Sequence, residues 1–235
     1  MQLDRSIAAV VTGGASGLGA ATARELARRG MRVALVARRR ERLTELADEI
    51  AKAGGAASVH ACDVAERAAV EAAFREIESA QGGVDLLVNN AGYVKHTLFA
   101  NHSLDDIERM TRVNYFGSVY WIKLAIPGMR KRGGGAIVNL SSLAGILPQP
   151  DEAAYSAAKA ATYRCAISSV RLCPTIPRRP ETLIISSSTA AVLWVALQWT
   201  ARKARGWTPT PRRPHNQSRG GRRGTGGWLR GNSGR

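Results

Sequence analysis

The chain has 235 residues, of which 45% are hydrophobic, and this is enough to bury the core of one α/β domain. Its formal net charge of +16 is distributed unevenly, because residues 1–163 carry a net +3 and residues 164–235 carry a net +13. The composition excludes a chain that is disordered throughout, and the charge distribution excludes a domain that is basic over its whole length.

The three cysteines, Cys62, Cys165 and Cys173, lack the spacing of metal ligands, so the sequence predicts no metal site. Cysteines without a disulfide pattern are typical of a reducing compartment. The first residues do not combine a charged start with an apolar run, so we expect no signal peptide. These features together predict a cytoplasmic protein.

The predicted elements alternate between strands and helices from residue 7 onward. Residues 7–11 form an apolar run that predicts a buried parallel strand, and a helical pattern follows that ends at Gly30. Residues 12–19, between the two, are rich in glycine. Strand, glycine turn and helix in this order are typical of dinucleotide binding.

The glycines of this turn each have a physical reason in such a motif. Gly13 lets the chain turn tightly, Gly17 lets the backbone approach a pyrophosphate, and Gly19 lets the helix pack closely on the strand. The N-terminus of the helix offers free N–H groups and a partial positive charge to the phosphates. The turn residues expected to bind the cofactor are Thr12, Gly13, Ser16, Gly17, Leu18 and Gly19.

The end of the second predicted strand, at residues 31–37, favours one form of the cofactor. An acid at this position would bind the ribose 2′-hydroxyl of NAD, but the chain has Arg38 and Arg39 there and no acid before Glu41. Arginine can bind a 2′-phosphate by charge and by paired hydrogen bonds, so NADP(H) is favoured over NAD(H). The alternative is a solvated basic start to the next helix, which is predicted over residues 39–53.

A third strand is predicted over residues 57–61, and Asp63 and Val64 after it are expected to belong to the cofactor site. An aspartate at the carboxyl end of a strand can reach the amino group of adenine. It can equally cap the helix that is expected to begin near Ala65. The two roles are compatible, and both remain open at this point.

The fourth predicted strand covers residues 84–88 and opens into small residues. Asn90, Ala91 and Gly92 would let backbone and amide groups face the nucleotide, and the alternative is an ordinary polar turn. We therefore include these three residues in the expected cofactor site.

Two helices are predicted over residues 103–112 and 114–132, with Asn114 at their junction. Asparagine hydrogen-bonds readily to backbone groups and disfavours helix interiors. A fifth strand over residues 136–140 brings Ser142 to the carboxyl edge of the sheet, where open α/β sheets bind their ligands.

Tyr155 and Lys159 are four residues apart and lie on the same face of a predicted helix, one turn apart. A carbonyl that accepts a hydride at carbon needs a proton at oxygen, and a tyrosine with an ordinary pKa of about 10 is poorly matched to neutral pH. A neighbouring ammonium group favours the phenolate, so we expect Lys159 to lower the pKa of Tyr155.

In order and spacing these motifs resemble the short-chain dehydrogenase/reductase family. The resemblance covers residues 6–163 and rests on Thr12, Gly13, Gly17, Gly19, Asn114, Ser142, Tyr155, Lys159 and the Asn-Asn-Ala-Gly sequence at residues 89–92. It implies an α/β fold in a single domain, with a Rossmann-like, doubly wound parallel sheet. It also implies an NAD(P)(H) cofactor and reversible oxidation of alcohols or reduction of carbonyls.

The resemblance assigns roles to four catalytic residues. It implies that Tyr155 is the proton donor or acceptor and that Lys159 also hydrogen-bonds to the nicotinamide ribose. It further implies that Ser142 holds and polarises the substrate oxygen. Asn114 would hold a water that links Lys159 to solvent.

The last third of the chain departs from this family. Residues 1–163 are expected to form the NAD(P)-binding domain, including the start of the active-site helix. Residues 164–203 form a divergent segment with a candidate sixth strand and helix, so the distal edge of the sheet is left open. Residues 204–235 are basic and lack the periodicity of a packed element, which predicts a disordered tail.

The divergent segment also bears on partners. Residues 182–201 form a stretch without charged residues that is long enough to span a membrane. Their Ser/Thr content and Gln198 argue against a span. Membrane association is therefore not expected. The basic tail could bind nucleic acid or anionic lipid without specificity, but a solvated tail is favoured.

The sequence thus predicts an NADP(H)-dependent oxidoreductase that interconverts an alcohol and a ketone or aldehyde. The alternative is a nucleotide-binding protein of the same type whose ending has been replaced and whose catalysis is impaired. The expected partner is a small carbonyl or alcohol substrate; a homo-oligomer is compatible with the sequence, and no specific nucleic acid partner is expected.

Overall fold

The computed structural model describes residues 7–170, including the side chains of residues 7–165. The candidate sixth strand, the uncharged segment at residues 182–201 and the basic tail at residues 204–235 lie outside the described residues, and the expectations for them stay predictions.

Five parallel strands form one sheet within the described part of the chain, in the order β3-β2-β1-β4-β5. The strands are β1 (Ala8–Thr12), β2 (Arg32–Ala37), β3 (Ala56–Ala61), β4 (Leu86–Asn89) and β5 (Ala136–Asn139). The strand order reverses direction between β1 and β4, which is the doubly wound arrangement. The predicted fold class is confirmed.

The helices connect successive strands and cover the sheet. They are α1 (Gly17–Arg28), α2 (Arg40–Lys52), α3 (Arg67–Gln81), α4 (Leu104–Thr111), α5 (Gly117–Lys131) and α6 (Ala153–Val170). Because all strands are parallel, their carboxyl ends meet at one edge of the sheet, and the loops that follow them lie together there.

The core consists of two apolar clusters, one on each face of the sheet. Neighbouring residues of β1 point to opposite faces, so Val11 packs in the cluster that contains Leu26 of α1 and Val10 packs in the other. On that second face Phe74 of α3 and Trp121 of α5 meet edge to face, with ring centroids 6.0 Å apart. A fully buried strand such as β1 has a continuous apolar sequence, which is why the sequence predicted it.

The connection between α4 and α5 differs from the prediction. Asn114 does not begin a helix but lies inside a π-helical turn, Arg112–Phe116, that joins α4 to α5. Such turns insert one extra residue into a helix and often occur at functional sites. The helix after Asp63 also begins later than expected, at Arg67 with Glu66 as its N-cap residue, so Asp63 does not cap it.

Candidate active site

The glycine turn after β1 is fastened to the end of β4 by Thr12 and Asn90. The hydroxyl oxygen of Thr12 accepts hydrogen bonds from the backbone N–H groups of Asn90 (3.0 Å) and Ala91 (3.1 Å). The side-chain amide of Asn90 donates to the carbonyl oxygens of Thr12 (3.0 Å) and Gly13 (3.2 Å). Two predicted cofactor residues therefore shape the turn itself, and Thr12 is buried beneath it.

Two glycines of the turn are required for different reasons. Gly17 has a φ of 53°, which favours glycine, and no protein atom lies within 4 Å of a β-carbon placed there, so the backbone is open to a ligand. A β-carbon on Gly19 would instead collide with the carbonyl oxygen of Gly13 and the side chain of Asn90. The close packing that the sequence predicts at Gly19 is present.

Substitution of Gly19 by alanine should displace the turn, because the atoms that the new methyl group meets are backbone and a fixed amide. We expect Gly19→Ala to weaken binding of the predicted dinucleotide at least tenfold, the effect of losing about 1.4 kcal/mol or more of binding free energy. Fluorescence titration with NADPH measures this. Gly128→Ala in α5 is the control, since its methyl group meets only side-chain ends and alanine favours a helix. Equal affinity in the Gly19→Ala variant and the control would contradict the prediction.

A cleft of about 460 Å³ runs along the carboxyl edge of the sheet. Thirteen of the predicted site residues line it: Gly13, Ser16, Leu18, Arg38, Arg39, Asp63, Val64, Asn90, Ala91, Gly92, Ser142, Tyr155 and Lys159. Thr12, Gly17, Gly19 and Asn114 do not belong to its lining. The sequence did not single out Tyr93, Arg109, Val113 and Leu143, which also line it.

One end of the cleft lies at the start of α1 and the end of β2. Ser16 is the N-cap residue of α1, but its side chain makes no capping hydrogen bond, and no acid lies in the first turn of the helix. Arg38 and Arg39 are exposed and line the same end of the cleft. An anion at this end would therefore meet a helix N-terminus and two cations.

Asp63 is held by contacts on both of its carboxylate oxygens. Oδ1 accepts a hydrogen bond from the backbone N–H of Ala65 (3.0 Å), and Oδ2 accepts one from Nη2 of Arg109 (2.5 Å). Burial opposes ionisation of this carboxyl, but the hydrogen bonds from Arg109 and Ala65 hold its pKa below the ordinary value. The helix-cap interpretation is wrong, because the bond to Ala65 closes a turn two residues before α3.

Ser142, Tyr155 and Lys159 lie together at the other end of the cleft. Nζ of Lys159 lies 5.7 Å from the centroid of the Tyr155 ring and donates a hydrogen bond to the carbonyl oxygen of Leu140 (3.0 Å). The hydroxyl of Ser141 donates to the backbone carbonyl of Lys159 (3.0 Å) and fixes α6 against the end of β5. The structure thus brings together three of the four residues that are predicted to be catalytic, and their roles stay predictions.

The expected effect of Lys159 on Tyr155 is not found in these residues. Burial raises the pKa of Tyr155, hydrogen bonding with Ser142 lowers it in part, and the charge of Glu152 raises it further. Lys159 is itself buried, and burial lowers the pKa of its ammonium group to about 8. The prediction that the pKa of Tyr155 is lowered was wrong, because burial opposes the charged forms of both Tyr155 and Lys159.

Asn114 is buried and braces the loop after β4. Its side-chain amide donates to the backbone carbonyl of Tyr93 (2.6 Å), and its Oδ1 accepts from the backbone N–H of Tyr93 (3.2 Å). Its own backbone carbonyl accepts hydrogen bonds from the hydroxyls of Thr162 (2.9 Å) and Ser118 (3.3 Å). Asn114 therefore connects this loop with α6, and its expected part in holding a water stays a prediction.

Within residues 7–170, His, Cys, Asp and Glu side chains form no group of three or more that could hold a metal ion. None of the helices in that part of the chain has the length and apolar character needed to cross a membrane.

The parallel sheet, the glycine turn at the start of α1 and the cleft along its carboxyl edge define a Rossmann-type α/β protein. A family model described as short chain dehydrogenase matches residues 7–168. The chain belongs to the short-chain dehydrogenase family, and the resemblance drawn from its motifs is confirmed.

Individual relatives agree with this assignment. An uncharacterized oxidoreductase from Mycobacterium bovis is 40% identical over 157 residues, which is 65% of this chain and 46% of that protein. The crystal structure of a metagenomic short-chain oxidoreductase in complex with NADP matches with a TM-score of 0.78 and 33% sequence identity. The match covers 83% of this chain and 90% of that chain. The structure of an NAD+-bound xylitol dehydrogenase matches with a TM-score of 0.70 and 30% sequence identity, and the match covers 73% of this chain and 66% of that chain. The chain spans less than half the length of the M. bovis relative.

Proposed function

We propose that the chain is an NADP(H)-dependent oxidoreductase that interconverts an alcohol and a ketone or aldehyde. The observation that carries this proposal is a single cleft with Arg38 and Arg39 at one end and Ser142, Tyr155 and Lys159 at the other. A dinucleotide that lies in this cleft with its adenosine end at the arginines has its nicotinamide end at the tyrosine.

The described residues fit such a cofactor. Space is open beside Gly17, the side chain of Ser16 makes no capping bond, and the first turn of α1 carries no acid. These are the conditions under which a helix N-terminus accepts phosphate groups. The solved relatives bind NADP in one case and NAD+ in the other, which supports a nicotinamide dinucleotide.

The catalytic group would act as an acid toward the substrate oxygen. When bound, the nicotinamide supplies or takes the hydride at the substrate carbon. In reduction the hydroxyl of Tyr155 donates its proton to the carbonyl oxygen, and the hydroxyl of Ser142 donates a hydrogen bond to the same oxygen. The ammonium group of Lys159 then stabilises the phenolate that remains.

Burial raises the pKa of Tyr155, so the phenol is a weaker acid than an ordinary tyrosine and depends on Lys159 to stabilise the phenolate. Because the phenol stays protonated at neutral pH, the tyrosine is ready to donate before each reduction. The same burial opposes the phenolate that oxidation needs at the start.

The preference for NADP(H) is tested by reversing the charge of Arg38. Arg38→Asp should weaken NADPH binding by roughly 10-fold to 100-fold, the range expected for a lost hydrogen bond between charged groups. NADH should bind as well as before or more tightly, since a carboxylate can accept from the ribose 2′-hydroxyl. Fluorescence titration with both reduced cofactors gives the two dissociation constants.

Arg40→Asp is the matched control for this variant, because Arg40 is exposed on the next turn and does not line the cleft. It makes the same change in net charge and should leave the ratio of NADPH to NADH affinity close to that of the parent. A parent chain that binds NADH as tightly as NADPH would contradict the preference.

A second candidate function is that of a nucleotide-binding protein of this family that binds the cofactor but does not catalyse the reaction. The family match ends at residue 168, and residues 169–235 lie beyond it. A chain of this kind would bind NADPH in the same cleft but reduce no carbonyl. Cytoplasmic localisation and a small carbonyl or alcohol substrate remain parts of the proposal.

A further inference from the structure

Glu152 is a charged residue beside the catalytic group, and the proposed mechanism has no role for it. Its backbone carbonyl accepts the hydrogen bond from the N–H of Ser156 (2.7 Å) at the start of α6, so Glu152 occupies the N-cap position of this helix. The side chain at an N-cap lies beside the residue three positions later, which here is Tyr155. Because only 17% of the Glu152 side chain is exposed, its carboxylate stays close to the protein at the catalytic end of the cleft.

Two contacts hold Glu152 where the loops after β4 and β5 meet. Nδ1 of His96 lies 3.1 Å from Oε1 of Glu152. The backbone N–H of Thr97 donates a hydrogen bond to the carbonyl oxygen of Asp151 (3.2 Å). His96 and Thr97 belong to the loop after β4, and Asp151 and Glu152 belong to the loop after β5. The carboxylate therefore has a fixed place next to Tyr155.

We propose that Glu152 is a specificity-determining residue that favours uncharged carbonyl substrates over those with a carboxylate next to the carbonyl group. This inference rests on the proposed function and deepens it, because it states the charge of the substrate that the same site takes. The chain would therefore reduce the ester of an oxo acid and discriminate against the free acid.

The proton donor determines how close a substrate comes to Glu152. The substrate carbonyl oxygen must lie within hydrogen-bond distance of the Tyr155 hydroxyl, about 2.6–3.2 Å, so a carboxylate on the carbonyl carbon lies within a few ångströms of that hydroxyl. The charge of Glu152 reaches this point. Burial raises the pKa of Tyr155, hydrogen bonding with Ser142 lowers it in part, and the charge of Glu152 raises it further. The same charge would repel a substrate carboxylate.

The described residues that line the cleft offer a substrate carboxylate little compensation for this repulsion. Arg38 and Arg39 lie at the other end of the cleft, and Arg109 is paired with a carboxylate of the protein. Lys159 is buried, and its Nζ donates to a backbone carbonyl. Leu143, which follows the catalytic serine, is exposed and lines the cleft, so an apolar substituent fits this end better than an anion.

The test compares ethyl pyruvate with pyruvate, which have the same ketone but differ in the charge of the group beside it. Steady-state rates of NADPH oxidation give kcat/KM for each substrate. We expect the parent to favour the ester. Glu152→Gln removes the charge and keeps the shape, so it should reduce this preference by roughly tenfold, the effect of removing one nearby like charge. A change in the acidity of Tyr155 would affect both substrates alike, so the ratio isolates the charge of Glu152.

Glu76→Gln is the matched control, because Glu76 also lies beside a histidine, His60 at 3.5 Å, but on α3 and outside the lining of the cleft. It should keep the ratio of the parent. If Glu152 only caps α6, Glu152→Gln would lower stability or both rates together and leave the ratio unchanged, and that result would overturn the inference.

Glu152→Lys provides a second measurement in case the first substitution disturbs the loop. It reverses the charge and should lower the preference for the ester further than Glu152→Gln does, and an unchanged ratio would again overturn the inference. A parent chain that reduces pyruvate as efficiently as ethyl pyruvate, or that reduces other carbonyls but not the ester, contradicts only the role of Glu152. A parent chain that reduces no carbonyl contradicts the proposed function.

Discussion

Tyr155→Phe is expected to lower the rate of carbonyl reduction by a factor on the order of 10² or more, the usual effect of losing a positioned acid. The substitution removes one hydroxyl and keeps the ring, which is half-buried at the start of α6. NADPH affinity and thermal stability should therefore stay close to those of the parent. Rates of NADPH oxidation with a carbonyl substrate, and a separate NADPH titration, measure the two effects.

Tyr163→Phe is the matched control, because Tyr163 lies on the same helix, has similar exposure and does not line the cleft. It should reduce carbonyls at the rate of the parent. If Tyr155→Phe does the same, Tyr155 has a structural role and the proposed mechanism is wrong.

Lys159→Met should lower turnover by a similar factor and should also weaken NADPH binding. Methionine keeps much of the volume of the buried side chain but removes the ammonium group that lies 5.7 Å from the Tyr155 ring. The phenolate formed after proton donation then lacks its nearest cation, and the ribose contact implied by the family resemblance is lost. Loss of turnover together with loss of affinity separates Lys159 from Tyr155.

Lys123→Met provides the control, since Lys123 is exposed on α5 and outside the cleft. Steady-state rates and NADPH titrations of both lysine variants make the comparison. Full activity in Lys159→Met would contradict any role of its charge in the reaction.

The pH dependence of stability gives Lys159 a second test. Burial lowers its pKa to about 8 in the folded chain, against an ordinary value of 10.5. At Lys159 the unfolded chain therefore binds one more proton between these two values, so this residue adds to the free energy of unfolding as the pH rises there. Below about pH 8 both states are protonated and the cost of burying the charge is fully present. Lys159→Met should lack this contribution, so the free energy of unfolding of the parent should rise relative to that of the variant between about pH 8 and pH 10.5, which denaturant unfolding measures.

The sequence predicted those parts of the site that depend on local spacing. Gly13 and Gly19 lie in one turn, and Tyr155 and Lys159 lie one helical turn apart, so their geometry follows from the backbone alone. The apolar strands that carry these motifs are largely buried, and this made them recognisable as strands of a parallel sheet.

Contacts between distant segments could not be predicted in the same way. The pairing of Arg109 with Asp63 joins residues from different elements, and nothing in the spacing of either segment indicates it. The pKa of Tyr155 depends on how deeply α6 is buried, which the four-residue spacing does not reveal. The π-helical turn at Asn114 inserts one extra residue between two helices. The low helix propensity of asparagine indicates a junction at this position, but it does not indicate a π-helical turn.

The most direct test of the account is NADPH consumption by the parent chain in the presence of a panel of ketones and aldehydes. The account predicts that at least one carbonyl causes NADPH oxidation, and that Tyr155→Phe abolishes most of that rate while still binding the cofactor. A parent chain that binds NADPH tightly and oxidises it with none of the carbonyls would contradict the proposed enzyme. It would support a nucleotide-binding protein without turnover.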